Sequence, residues 1–111
     1  GRSDDMLIIR GVNVYPSQVE AVLVGRPGLA PHYQLVVTRS GHLDRLRLEV
    51  EALPGVPASQ YPALAGDAMH HVKSMIGLSA EVAVLEPGRL PRSQGKAVRV
   101  RDLRETPAAG D

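Results

Sequence analysis

The chain has 111 residues, which is the size of one ordinary domain and too short to enclose several large ligands. Hydrophobic residues make up 43%, charged residues 23%, and the net charge is +1; this excludes a disordered chain and gives no bulk field for nucleic acid or an acidic membrane. The absence of Cys excludes disulfides and Cys-based zinc sites, and no apolar run approaches the ~18 residues of a membrane span.

The first part of the sequence predicts two short extended segments followed by a helix. Residues 6–9 and 12–15 are rich in strand-forming types, and the Arg-Gly pair at residues 10–11 indicates a tight turn between them. Pro16 suits the first position of a helix, because its φ is already fixed near the helical value. Apolar residues then recur at helical spacing, so we predict a helix over about 16–24.

Two strands joined by a hairpin turn are predicted next. Residues 33–39 are strand-forming, residues 40–42 carry turn formers, and residues 45–51 alternate polar and apolar side chains strictly. Such alternation is typical of an antiparallel strand with one buried face. We therefore expect the polar side chains of 45–51 to lie on a face exposed to solvent.

A second helix is predicted from Ser59, acting as its N-terminal cap, to about Ile76. Pro62 falls in the first turn, where proline is tolerated, and Gly77 ends the helix. The apolar stripe that would face the core consists of Leu64, Ala65, Ala68, Val72, Met75 and Ile76.

The last part of the chain predicts a strand over 80–85, a loop rich in Gly and cations over 87–96, and a short extension over 98–100. In order, the elements give a split β-α-β-β-α-β pattern. We predict an α+β, ferredoxin-like sandwich with two helices on one face of a small, mainly antiparallel sheet. Because this topology serves many unrelated tasks, it does not by itself indicate a function.

Two segments place glycine and charge where a purely structural connection would not need them: residues 1–16 and residues 90–97. They resemble two motifs of the adenylate-forming superfamily, the hinge that opens its mobile C-terminal domain and the catalytic-lysine loop near its end. The stretches IIRGVNVYPSQVE, LAPHYQLVVTRSGHLDRLRLEVE, MIGLSAEVAVLEPG and PRSQGKAVRVRD resemble the phenylacetate–coenzyme A ligase branch. The likeness covers about residues 1–104 without a visible gap.

The resemblance implies that Lys96 is the catalytic lysine of adenylation, supported by Gly95. When a carboxylate attacks the α-phosphate of ATP, negative charge builds on the phosphoryl oxygens, and a cation delivered there stabilises the transition state. Lysine carries a compact charge on a flexible stem, and the glycine beside it permits close approach. From the residues alone, a solvated surface lysine is the alternative.

The resemblance also assigns roles within a hinge at about residues 1–5. Asp4 would be the residue about which the domain swings between an adenylating and a thioester-forming orientation, and Arg2 would contact the nucleotide ribose. A few backbone torsions can absorb such a swing. The plain alternatives are a polar linker pair, Asp4 with Asp5, and an exposed arginine.

Residues Arg10, Gly11, Val12 and Asn13 resemble the loop that enters the active site in the thioester-forming state. Gly11 would let the backbone pass close to the pantetheine arm of coenzyme A, although an ordinary hairpin glycine is the alternative. Many superfamily members carry Arg where this chain has Asn13. The asparagine resembles the phenylacetate branch and leaves the contacts to the coenzyme A phosphates unassigned.

No metal site is predicted. His70 and His71 are adjacent on the second helix and point about 100° apart, so they cannot bind one ion together. His32 and His42 lie in loops without a partner motif. The cations between residues 89 and 104 outnumber the acids, and they are either a solvated face or a field that steers the phosphates of ATP or coenzyme A.

We therefore expect residues 1–104 to be the mobile C-terminal domain of an AMP-forming acyl–coenzyme A ligase for phenylacetate or a related aromatic acid, with 105–111 as a flexible tail. A large N-terminal adenylation domain of the same chain would bind most of the ATP and Mg²⁺, coenzyme A would be the co-substrate, and the enzyme would be cytoplasmic. This domain by itself would be inactive. The alternative is a free-standing ferredoxin-like binding or regulatory module. Nucleic-acid binding through the sheet needs exposed aromatics, and the chain has three Tyr and no Phe or Trp.

Overall fold

The computed structural model describes residues 6–90 and 100–104 of the chain. Within them lie six strands and two α-helices, and a turn of 3-10 helix at Ala58–Gln60 precedes the second helix. In chain order the elements are β1 (Leu7–Ile9), β2 (Val12–Val14), α1 (Pro16–Val24), β3 (Leu29–Ser40), β4 (Leu43–Ala52), α2 (Tyr61–Ile76), β5 (Glu81–Leu85) and β6 (Val100–Asp102). Neither helix in this described part is long and apolar enough to cross a membrane.

The strands form two sheets of different size. β1 and β2 pair with each other in a two-stranded antiparallel sheet, with Ile9 opposite Val12. The other strands form one sheet in the order β5-β4-β3-β6. Its central pair is antiparallel, whereas β5 runs parallel to β4 and β6 runs parallel to β3. Helix α2 is therefore the crossover between two parallel strands.

The predicted α+β class with two helices is confirmed, and the strands differ in one respect from the predicted split pattern. Within the described residues, the first extended segments stay out of the larger sheet, whose fourth strand is β6. The cause is the two-residue connection at 10–11, which folds β2 directly back onto β1. The long central pairing of β3 with β4 is antiparallel as predicted, and the shorter parallel strands β5 and β6 at its two sides make the sheet mixed.

Helix α1 has the predicted bounds, and Pro16 occupies its first position. Tyr15 precedes it in an extended conformation, and the Tyr15 backbone N–H donates to Oε1 of Gln18 at 3.4 Å. The Gln18 side chain thus reaches back to a backbone donor at the helix start. Val19 and Leu23 are buried on the side that packs against β3 and α2.

Helix α2 ends as predicted but begins differently. Ser59 lies inside the 3-10 turn and does not cap the helix, since Gln60 occupies the cap position without a side-chain bond. The Gln60 N–H donates to the Pro57 carbonyl at 2.9 Å, so a tight turn that runs straight into the helix replaces the expected serine cap. At the other end Gly77 is left-handed, with φ 81°, and its N–H donates to the Lys73 carbonyl at 2.8 Å.

The apolar stripe of α2 is narrower than predicted. Ala68 and Val72 are fully buried, and Leu64 and Ile76 pack against the edge of the core. Met75 is 52% exposed, contrary to the prediction. The helix contacts β5 and α1, and Met75 is not among the residues that pack against the core between these elements.

The core is aliphatic, as the scarcity of aromatic residues predicts, and lies between the helices and one face of the larger sheet. Tyr33 is buried in it, and its hydroxyl donates to Oε1 of Glu20 at 3.1 Å. This contact satisfies the one polar atom that the ring brings inside. The alternation predicted for the second strand is confirmed on this inner face, which is built from Leu35, Val37, Leu46, Leu48 and Val50.

Strand β3 begins four residues before the predicted segment and contains Pro31. Leu29 pairs with Ala52 and Tyr33 with Val50, so the register shifts between these two pairs. Proline cannot donate to the ladder, and an irregularity of this kind is a place where a strand tolerates it.

Candidate functional site

The predicted site residues divide into two groups. Arg10, Gly11, Val12 and Asn13 belong to the β1–β2 hairpin that the structure describes. The other four, which are Arg2, Asp4, Gly95 and Lys96, lie outside the described residues.

The β1–β2 hairpin turns through two residues that both have positive φ. Arg10 has φ 53° and Gly11 has φ 76°, which is the backbone of a type I′ turn. A Cβ added at Gly11 would meet no atom within 4 Å, so the chain itself needs glycine here for its φ and not for space. Ile9, directly before the turn, and Val14, at the open end of the ladder, are fully buried, which fastens the inner face of the hairpin to the core.

The side chains of the turn do not all face solvent alike. Nε of Arg10 donates to the backbone carbonyl of Asp44 at 2.9 Å, so this arginine folds back onto the start of β4. Val12 is partly buried against the core. Asn13 is exposed opposite Ile8 on the outer face of the hairpin. Gly11 and Asn13 are thus the turn residues most open to a ligand.

A group of charged side chains, which we call the Asp44 cluster, surrounds this contact and consists of Arg39, Asp44, Asp102 and Arg104. Oδ1 of Asp44 accepts from Nε of Arg39 at 2.8 Å, and its Oδ2 accepts from Nη1 of Arg104 at 3.0 Å. The same Nη1 donates to the Ile8 carbonyl at 2.8 Å. Arg104 also holds Asp102 through Nη2 at 2.7 Å and through Nε at 2.9 Å. The cluster therefore joins β1, the β3–β4 hairpin and the end of β6.

The charges of the cluster stabilise each other. The hydrogen bond from Arg39 is the largest effect on the pKa of the Asp44 carboxyl; burial opposes it, and with the further hydrogen bond from Arg104 the pKa lies below its usual range. The hydrogen bond from Arg104 lowers the pKa of Asp102 in the same way. In return, hydrogen bonds to Asp102 and Asp44 raise the pKa of Arg104. Asp44, Asp102 and Arg104 are therefore charged at neutral pH.

A second anchor, which the sequence pattern missed, lies on β4. Glu51 was expected on the exposed face but is only 1% exposed. Its Oε1 accepts from the Gly88 N–H and its Oε2 from the Leu90 N–H, both at 2.9 Å. These bonds hold the backbone that leads into residues 90–97, where the catalytic-lysine loop is predicted. The sequence pattern does not distinguish Glu51 from Glu49, which has the same place in the alternation. Glu49 nevertheless stays partly exposed, beside Arg47.

The two histidines of α2 pack against each other, and His71 also contacts Asp67 and Arg26. Nδ1 of His71 lies 2.8 Å from the Asp67 carbonyl, and Nη1 of Arg26 lies 2.9 Å from Nε2 of His71. Arg26 also pairs with Asp67 at 3.3 Å, so this group connects the loop after α1 with α2. His70 stands edge-on to His71 with ring centroids 5.3 Å apart. In the described ranges, no group of three or more acidic or histidine side chains is placed to hold a metal ion.

Comparison with known proteins gives concordant matches in sequence. A model of the AMP-binding enzyme C-terminal domain matches residues 11–104. The chain is 50% identical over 107 residues to phenylacetate-coenzyme A ligase of Escherichia coli strain K12 and 49% identical over 109 residues to that of Aromatoleum evansii. Each match covers 94% of this chain but 24% and 25% of those proteins. The chain thus spans about a quarter of the length of these relatives.

Solved structures agree with the sequence matches. A domain of phenylacetate-coenzyme A ligase from Bacteroides vulgatus has a TM-score of 0.84 at 32% identity, covering 93% of this chain and 96% of that one. A 2-hydroxyisobutyryl-CoA ligase in its thioesterification state, bound to 2-HIB-AMP and CoA, has a TM-score of 0.86 at 37% identity, covering 98% of this chain and 23% of that one. With a family match over most of its length and a solved domain of the same size and fold, the chain belongs to the AMP-binding enzyme C-terminal domain family.

Proposed function

We propose that this chain is the mobile C-terminal domain of an ATP-dependent acyl–coenzyme A ligase that acts on phenylacetate or a related aromatic acid. The observation that carries the proposal is the 50% identity to a phenylacetate-coenzyme A ligase along 94% of the chain. Since the match covers only 24% of that enzyme, a large N-terminal adenylation domain is the natural partner. A free-standing regulatory module would have no need of the paired hinge and lysine motifs.

The proposed reaction has two steps. The acid carboxylate attacks the α-phosphate of ATP, which gives an acyl-adenylate and pyrophosphate. The thiol of coenzyme A then loses its proton and attacks the acyl carbon, which gives the thioester and releases AMP. ATP, with Mg²⁺, is assigned mainly to the N-terminal domain, and coenzyme A meets this domain only in the second step.

In the first step, Lys96 would supply the positive charge. A preorganised cation beside the attacked phosphate stabilises the charge that develops there, and Lys is suited to reach it from a separate domain. Gly95 would give that segment room for close approach. Arg2 would contact the nucleotide ribose. The buried Glu51 supports this proposal, because it fixes Gly88 and Leu90 at the start of the lysine segment.

In the second step, the β1–β2 turn would face the active site after a swing about Asp4. The turn suits this role because Gly11 and Asn13 are exposed while Ile9 and Val14 hold the inner face of the hairpin in the core. Its open side leaves room for the pantetheine arm beside Gly11. A rigid turn on a moving domain presents the same backbone groups in every cycle.

The test uses the full-length protein that contains this chain. Phenylacetate, 2-hydroxyisobutyrate and acetate are offered in parallel, and pyrophosphate release and thioester formation are measured. We expect kcat/KM for phenylacetate to exceed the others by at least about tenfold, because a pocket built for a ring binds small acids poorly. The isolated 111-residue chain serves as the control and should form neither AMP nor thioester.

The outcomes separate the parts of the proposal. Preference for acetate or 2-hydroxyisobutyrate would leave a ligase but contradict the aromatic substrate. Failure of the full-length protein to adenylate any carboxylic acid, or turnover by the isolated chain, would overturn the proposal that this is one domain of a ligase.

A further inference from the structure

We propose that Arg104 and Asp44 are positioning residues that hold the β1–β2 turn in the geometry needed for thioester formation. The inference rests on the proposed function, since it deepens the role of that turn. Neither residue would touch a substrate. Both would act through the hairpin backbone and through Arg10.

The contacts converge on the hairpin from two other parts of the chain, the start of β4 and the end of β6. Nη1 of Arg104 bridges the Ile8 carbonyl at 2.8 Å and Oδ2 of Asp44 at 3.0 Å. The backbone carbonyl of Asp44 accepts from Nε of Arg10 at 2.9 Å. One side of the hairpin is thus tied through β1, and its tip is tied through the turn residue itself. The hydrogen bonds to Ile8 and from Arg10 both depend on the position of Asp44.

The hairpin needs such ties because its own ladder is short. β1 and β2 have three residues each, and an isolated two-stranded hairpin is marginal in water. Ile9, directly before the turn, and Val14, at the open end of the ladder, hold the inner face of the hairpin in the core, but Arg10, Gly11 and the outer face are exposed. Without the Asp44 cluster, only this inner face would hold the turn.

These ion pairs are better placed than ordinary surface pairs. The side chains of Arg104 and Asp44 are only 16% and 14% exposed, and Arg104 binds two carboxylates and one carbonyl at once. Charge-assisted bonds that share one guanidinium in a partly shielded site are stronger than a solvated pair. Lysine could not make the same set of contacts, because it lacks the planar fork.

The lysine segment should be spared when Arg104 is changed. β6 is held independently by its parallel pairing with β3, in which Leu35 faces Val100 and Val37 faces Asp102. The Leu103 N–H adds a bond to the Val37 carbonyl at 2.7 Å. The strand that follows the lysine segment therefore keeps its ladder without the Arg104 side chain, and the effect should concentrate on the turn.

The first measurement is amide hydrogen exchange in the 111-residue chain, which does not depend on ligase activity. In Arg104→Gln and in Asp44→Asn, we expect the amides of residues 7–14 to exchange at least about tenfold faster, while those of β4 and α2 are unchanged. The matched control is Arg45→Gln, which removes one arginine charge at the residue after Asp44. Its side chain is 54% exposed and makes only a long ion pair, at 3.9 Å, with Glu81. Unchanged exchange in the hairpin would overturn the proposal.

The second measurement compares the two half-reactions in the full-length protein. We expect thioester formation from supplied acyl-adenylate to fall about tenfold relative to pyrophosphate release in Arg104→Gln and in Asp44→Asn. The double variant should be no worse than the poorer single variant, because both remove one shared contact. A proportional loss in both half-reactions would mean that the cluster only stabilises the fold, and would also overturn the proposal.

Gly11→Val distinguishes this inference from the function on which it rests. Valine is strained at φ 76°, so the substitution distorts the turn directly. If Gly11→Val slows thioester formation and Arg104→Gln does not, the positioning role is wrong while the role of the turn stands. If neither variant changes the ratio, the proposed role of the turn in the second step is itself wrong.

Discussion

The carboxylate of Glu51 is buried, which costs hydration free energy, and each of its oxygens accepts a hydrogen bond from a backbone N–H group. A buried charge is tolerated when its hydrogen bonds are complete, and removing part of the set leaves polar groups unsatisfied. The backbone N–H groups of Gly88 and Leu90 are the ones that would lose their acceptors, and they lie at the start of the predicted lysine segment. Glu51 thus links the stability of the domain to the placement of its proposed catalytic residue.

Glu51→Gln should lower the free energy of unfolding by about 1–3 kcal/mol, because the amide NH₂ replaces one acceptor with a donor facing a backbone N–H. Chemical denaturation of the 111-residue chain measures the change. Glu49→Gln is the matched control on the same face of β4, and its loss should stay within about 0.5 kcal/mol. Equal losses in the two variants would mean that the buried bonds of Glu51 contribute nothing specific.

Lys96→Ala in the full-length protein should slow acid-dependent pyrophosphate release by about 10²–10³, the usual effect of losing one preorganised charge. Thioester formation from supplied acyl-adenylate should be within a few-fold of the unmodified protein, since the role proposed for Lys96 is confined to adenylation. Lys73→Ala, which removes an exposed lysine from α2, is the control. A similar loss in both half-reactions would contradict the catalytic role.

At the scale of elements, a change in the proposed hinge should give the opposite pattern to Lys96→Ala, with the second half-reaction lost and the first retained. Proline fixes φ near −65° and removes the backbone N–H, so Asp4→Pro should restrict the swing ahead of β1 while leaving Lys96 in place. We expect pyrophosphate release to survive and thioester formation to collapse. Asp4→Ala keeps φ free and should do much less. The measurement is the ratio of the two half-reaction rates, and similar ratios for Pro and Ala would place the pivot elsewhere.

How far the elements were predictable depends on whether local signals decided them. Pro16 and the helical spacing after it specified α1, and the strict alternation specified the inner face of β4. The predicted start of α2 is wrong, because Ser59 lies in a 3-10 turn and does not cap the helix. The place of β6 beside β3 is set by contacts between distant segments, which no local pattern carries.

The site shows the same division. The turn at Arg10 and Gly11 was predictable, because an Arg-Gly pair between two strand-forming runs has few other solutions. The Asp44 cluster was not, since it joins side chains that are 60 residues apart in the chain. Burial of Glu51 likewise depends on the course of the backbone after β5, which alternation within β4 cannot report.

For the molecule as a whole, the Asp44 cluster predicts how stability responds to acid. The pKa values of Asp44 and Asp102 are lowered in the folded state, so their contribution is present above the unfolded value of about 4 and is lost as pH falls through the folded values. Arg104 has a raised pKa and stays charged throughout this range. We therefore expect the free energy of unfolding to decline below about pH 4.

Asp44→Asn tests this origin of the acid response. The difference in unfolding free energy between the unmodified chain and the variant should be largest near pH 7 and shrink as the pH falls below about 4, and added salt should reduce it at neutral pH. A difference that is independent of pH would mean that the aspartate acts through packing and not through its charge.

Arg104 also limits how such domains can be recombined. Its contacts to Ile8 and Asp44 span 96 and 60 residues of sequence, and the contact to Ile8 is to the backbone, so a chimaera made from two ligases of this family keeps them when it carries both the aspartate and the arginine. A crossover in α2 would take Asp44 and Arg104 from different parents. Parents that differ at either position would yield folded hybrids with a loosened hairpin, and crossovers ahead of β1 or beyond Arg104 are the ones that carry the whole unit.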